Sequence, residues 1–160
     1  MALRQVDLGA LLANGKLSVS ITGTEDGGSG VGAMFDGISP PTDGVGGTFL
    51  KLDNDAPLEV IELDFTPQIP GTTFQIVFKY QNTYNGSVLV NENVVGPTFS
   101  DGASDILIKT RRFTFGEQGL RKIKFNLGSS VSNNDHKIYE IQVFILEDKG
   151  LPYEFNDSLL

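Results

Sequence analysis

Apolar and polar residues alternate along most of this chain with a period of two, the spacing of a strand that buries one face and wets the other. Residues 16–22 place Leu17, Val19 and Ile21 opposite Ser18, Ser20 and Thr22, and residues 48–52 read as a second, shorter strand. Across residues 58–65, Leu58, Val60, Glu62 and Asp64 fall on one face and Glu59, Ile61, Leu63 and Phe65 on the other. That gives Ile61, Leu63 and Phe65 a shared buried face. Residues 73–80 show the clearest pattern, with Phe74, Ile76, Phe78 and Tyr80 on one side and Gln75 and Lys79 on the other. The Asn85-Gly86 pair suits a tight turn, so residues 73–80 are expected to form a hairpin with residues 87–91. Residues 105–115 follow, and two adjacent arginines, Arg111 and Arg112, cannot both point outward from a regular strand. They predict a bulge or a sheet edge. Residues 121–127 and 137–146 complete about eight strands, with the Ser- and Asn-rich stretch 129–135 as a surface loop.

The expectation is an all-β chain, a single jelly-roll sandwich of antiparallel strands over residues 16–146, with an N-terminal arm (1–15) and a C-terminal tail (147–160). Composition agrees: 160 residues with 39% hydrophobic content are enough for one domain with a core. Nineteen glycines and seven prolines supply turns. A net charge of -8 argues against a nucleic-acid partner, whose phosphates require lysine and arginine. No stretch is long enough to insert in a membrane, and the first residues lack the pattern of a secretory signal, so synthesis and assembly in the cytoplasm are expected. With no cysteine, neither a disulfide framework nor a thiolate metal site is available.

Met34-Phe35-Asp36-Gly37 follows the Gly-rich Gly27-Gly28-Ser29-Gly30, and Tyr139-Glu140-Ile141-Gln142-Val143 stands near the other end. With the strand Glu59-Val60-Ile61-Glu62-Leu63-Asp64-Phe65 between them, this order resembles the galactose-binding-like, or discoidin-type, jelly-roll superfamily. The resemblance implies a structural calcium held by Asp36 and Glu140 with loop carbonyls and a threonine hydroxyl. Calcium favours several hard oxygen ligands, so these residue types suit it. The alternative is that Asp36 closes its turn through its own side chain and Glu140 is an ordinary solvent-facing strand residue. The resemblance also implies glycan binding by loops at one end of the sandwich. Sugars stack their C–H faces on aromatic rings and need directed polar partners for their hydroxyls. The chain has no tryptophan, and Asp43-Gly44-Val45 stands where the family often carries one. Tyr84, Phe99 and Tyr153 remain as aromatics, with Arg111, Arg112 and His136 as polar candidates.

Enzymatic chemistry finds no support. No Gly-x-Ser-x-Gly elbow, zinc-spaced histidine pair or phosphate loop occurs, and the single histidine lies beside a polar loop. The termini are apolar: Leu3, Val6, Leu8, Leu11 and Leu12 at one end, Tyr153 and Phe155 at the other. Arms of this kind suit docking to other copies or to a larger particle, unless they pack back as added edge strands. The acidic, cysteine-free sandwich with such arms resembles small virion proteins of tailed bacteriophages. The leading expectation is therefore a non-enzymatic virion accessory, a capsid decoration or tail appendage with other virion proteins or symmetry-related copies as partners and possible glycan adhesion. The alternative is a calcium-stabilised carbohydrate-binding module.

Overall fold

In a computed structural model, residues 2–38, 47–53, 59–99, 108–130 and 135–147 are described. They form an all-β sandwich of two antiparallel sheets, as the alternation predicts. In chain order the strands are β1 (Ala2–Val6), β2 (Leu17–Thr22), β3 (Glu25–Gly28), β4 (Leu50–Leu52), β5 (Val60–Ile69), β6 (Thr73–Gln81), β7 (Thr83–Tyr84), β8 (Gly86–Val90), β9 (Asn93–Phe99), β10 (Lys109–Gly116), β11 (Leu120–Asn126), β12 (Ser129–Ser130) and β13 (His136–Glu147). A short helix, α1 (Leu8–Ala13), follows β1, and a 3-10 turn spans Val31–Phe35. One sheet runs β10-β6-β13-β4-β3 with β1 also on β13; the other runs β2-β5-β11-β8-β9. A two-stranded ribbon, β7 with β12, completes the set.

The inward faces are those the sequence marks. Ile61, Leu63 and Phe65 of β5 meet Phe74, Ile76, Phe78 and Tyr80 of β6, and Ile123 and Phe125 of β11 join them. Phe78 and Phe125 stack across the core at 4.5 Å between centroids. The six-stranded sheet is also covered on its outer side, because Val77 and Tyr139 are buried although they do not share the face of Phe78. A bulge at Tyr139 shifts the β13–β6 register between Ile138 and Glu140, which lets Tyr139 pack on Phe49 (5.3 Å) and donate its hydroxyl to Gln81 (3.0 Å).

Several expectations are corrected. The hairpin between β6 and β8 does not exist, since β6 pairs with β10 and β13 while β8 pairs with β11 and β9. Asn85 does adopt a positive φ of 58°, but it turns the chain from one sheet to the other. The tight hairpin lies between β8 and β9, where Asn91 (φ 47°) and Glu92 (φ 74°) are the two central residues. Asn91 is held there by its own amide: Oδ1 accepts from Arg121 N and Lys122 N, and Nδ2 donates to Glu117 Oε1 and Gly119 O. At Arg111 and Arg112 there is a sheet edge and no bulge, as β10 keeps an unbroken register with β6.

The first residues are part of the sandwich. β1 pairs with the far half of β13 (Val6 with Val143, Ala2 with Glu147), and Val6 and Leu8 are buried in the core. Leu11 and Leu12 pack against that core, while Leu3 is exposed. The alternative of an added strand thus describes this segment, and most of its apolar area is spent on its own domain. Tyr153, Phe155 and the rest of 148–160 lie outside the described residues. No helix among the described residues is long and apolar enough to cross a membrane.

Candidate functional site

Strand β13 positions the first candidate region. On one side β6 pairs with it throughout; on the other, β4 covers His136 to Ile138 and β1 covers Val143 to Glu147. Between those two partners the sheet opens into a cavity of about 430 Å³, lined by Asp7, Asp36, Glu140 and Gln142 among others. The structure therefore brings together the two carboxylates singled out for calcium. Asp36 ends the 3-10 turn, and Gly37 at φ 73° turns the chain back. Asp36 Oδ1 accepts from Ile38 N (2.9 Å) and Oδ2 from Thr48 Oγ1 (2.6 Å), the turn closure given above as its alternative role. Glu140 is not solvent-facing: it is 5% exposed, and its Oε1 lies 3.1 Å from Lys79 Nζ. Asp7 caps α1 by accepting from Ala10 N. Among the described residues no three acidic or histidine side chains converge tightly enough to ligate one ion. The two carboxylates suit a hard cation in charge and oxygen chemistry, but backbone carbonyls would have to supply most of its shell.

The second region is the sandwich end where β13 begins. Tyr84 pairs with Ser129 and Phe99 with Gly86, so both lie at this end, beside the start of β10. The two arginines divide. Arg111 shares the inward side of β10 with Phe113, and its guanidinium carbon sits 5.9 Å from the Tyr80 ring centroid. Arg112 is exposed on the opposite face, in register with Val77. Arg111 thus faces the sandwich interior and Arg112 faces away from it.

His136 is the main surprise at this end. It is wholly buried, so it cannot touch a ligand as the sequence reading expected. Its Nδ1 lies 3.0 Å from Thr83 Oγ1 and its Nε2 2.9 Å from Glu59 Oε1. Burial lowers the His136 pKa to about 4, against the opposing pull of Asp135 and the Asn82 backbone, so the ring is neutral at pH 7. Hydroxyl, imidazole and carboxylate stand in the order of a hydrolase triad, yet Thr83 is as buried as the ring and meets no substrate. The sequence carried a signal for this cluster. Glu59 falls on the same face as Ile61 and Leu63, and a carboxylate on a core face demands a partner.

A third polar group lies on the outer face of the five-stranded sheet. Lys122 Nζ lies between 3.6 and 3.9 Å from Glu62, Asp64 and Glu92, and Lys124 approaches Glu62 (3.7 Å) and Glu92 (3.9 Å). Partial burial raises the pKa of Asp64, helped by its hydrogen bond to Glu62. For Glu62 burial pulls the same way but is outweighed by Asp64 and the two lysines, leaving it lowered.

No protein-family model matches the chain, and no curated protein matches its sequence. Solved structures do match in shape. Chitosan-binding module 1 of a chitosanase/glucanase from Paenibacillus sp. IK-5 is 14% identical with a TM-score of 0.58, over 80% of this chain and 94% of that module. The likeness is one of fold. A family 32 carbohydrate-binding module of NanJ from C. perfringens, solved with galactose, is 13% identical with a TM-score of 0.54, over 89% of this chain and 99% of the module. A second family 32 module, from Clostridium perfringens and in complex with GlcNAc-α-1,4-galactose, is 14% identical with a TM-score of 0.56, over 90% and 96% of the two chains. None of these likenesses is to a virion protein, and none supports the virion expectation.

Proposed function

We propose that this protein is a non-catalytic carbohydrate-binding module that takes its glycan at the sandwich end carrying Tyr84, Phe99 and Arg111. The observation that carries the reading is the likeness to modules that bind chitosan, galactose and GlcNAc-α-1,4-galactose, which extends over 94 to 99% of each of those chains. Backbone pairing puts Tyr84 and Phe99 at this end, opposite Ser129 and Gly86, and Arg111 on β10 brings in a guanidinium. We further propose that calcium, held by Asp36 and Glu140, acts as a structural ion, tying the end of the 3-10 turn to β13. A glycan array probed with the protein in calcium and in EDTA tests both parts. Saturable binding to galactosides or amino sugars is expected, with a higher melting temperature in calcium. Absence of binding to every glycan in either buffer contradicts the module reading, and identical melting temperatures contradict the calcium.

A further inference from the structure

The cluster of Thr83, His136 and Glu59 joins separate parts of the molecule. His136 opens β13 in the six-stranded sheet, Glu59 leads directly into β5 of the five-stranded sheet, and Thr83 belongs to the ribbon. One buried imidazole therefore touches all three. Its surroundings tighten the same place. Asn82 Nδ2 donates to the Asp135 carbonyl at 3.1 Å, and Lys51 Nζ lies 3.4 Å from the Asp135 carboxylate. Gly23, at φ 125°, passes so close that a Cβ there would come within 2.9 Å of Glu59 Cγ.

We propose that this cluster is a proton-sensitive clamp: it holds β7, the start of β13 and the residue leading into β5 together near neutral pH and lets them part in acid, weakening glycan binding as the pH falls. The consequence for glycan rests on the carbohydrate-binding reading, whereas the clamp does not. The charged groups around the ring are Glu59 ahead of β5, Asp135 on its own strand and Lys51 on β4, while β6 and β7 present the uncharged Gln81, Asn82 and Thr83. In the closed state burial keeps the ring neutral down to a pKa of about 4; once opened to water it returns to its ordinary 6.5. The open state therefore takes up its proton first as the pH falls. The stabilising contribution is complete above pH 6.5 and is lost progressively towards pH 4. The lowering from 6.5 to about 4 amounts to roughly a fifty-fold rise in the opening equilibrium between pH 7 and 4.5.

His136 is the chain's single histidine, so its ring proton can be followed by NMR in the unmodified protein. The clamp predicts a titration midpoint near 4; a midpoint at or above 6.5 overturns it. Native-state amide exchange, corrected for its intrinsic pH dependence, should quicken by roughly fifty-fold at Thr83 and His136 between pH 7 and 4.5, while the middle of β6 stays protected. In His136→Gln, which cannot titrate, that acceleration should vanish. Equal acceleration in wild type and variant, or loss of protection throughout both sheets, contradicts the clamp. Where the variant does not fold, the wild-type midpoint alone decides. If the wild type binds a glycan at pH 7, affinity should fall with the same midpoint. If it binds none at any pH, the carbohydrate reading fails, and titration and exchange still judge the clamp.

Discussion

Two polar groups in this sandwich use the same residue types to opposite effect. On the open face, Lys122 and Lys124 reach several carboxylates at 3.6 to 3.9 Å, yet their side chains are nearly a third exposed and Glu92 is 64% exposed. At the loop end, His136 and Glu59 are 0% and 2% exposed at 2.9 Å. Water screens the first group and releases each charge cheaply when a partner is lost. The second is shut away from solvent, so losing one partner leaves the other buried in low dielectric. Counting contacts ranks the open ladder first, whereas burial reverses the order. The sandwich depends on its one histidine more than on its lysines.

Substitutions sharpen that contrast. Removing His136 with alanine is expected to cost about 3 kcal/mol in urea unfolding at pH 7, because a fully buried ring is lost and Glu59, 2% exposed, loses the imidazole 2.9 Å away. Asn91→Ala should follow at about 2 kcal/mol. It loses four hydrogen bonds that hold the β8–β9 turn, and both central residues then keep positive φ angles without that support. Gly23→Ala comes next, about 1 to 2 kcal/mol, from a positive φ combined with a contact against Glu59. Lys124→Ala on the open face should cost at most about 0.5 kcal/mol, and that small cost should shrink further in 1 M salt. If Lys124→Ala proved as damaging as His136→Ala, the contrast between the two groups would collapse.

Alternation made the sheets legible because each main strand buries one side. The eight expected strands correspond to β2, β4, β5, β6, β8, β10, β11 and β13, with ends moved by a few residues. The strands that escaped notice are short or rich in glycine and polar residues: β3 (Glu25–Gly28), β7, β12 and the β9 edge have no alternation to read, and β1 hides in a segment whose apolar side is narrow. The hairpin was misplaced because Asn85-Gly86 carries a strong turn signal, while Asn91-Glu92 depends on hydrogen bonds to residues thirty positions away that no local pattern reveals. The pairing of Asp36 with Glu140 over one cavity came from the order of motifs, not from their chemistry. The burial of His136 is not legible in the polar stretch beside it, although Glu59, sharing a face with Ile61 and Leu63 just ahead of β5, calls for a polar partner in the core.

The claim on which the account turns is that glycan binds at the end of the sandwich where β13 begins. Titrating the labelled protein at pH 7 with galactose, GlcNAc-α-1,4-galactose and chitotriose, while following backbone amides by NMR, tests it directly. The account predicts saturable shifts at Tyr84, Phe99 and the start of β10, with the Glu62 to Lys124 face unmoved. Saturable shifts confined to that open face, or none with any of the three sugars, would contradict it.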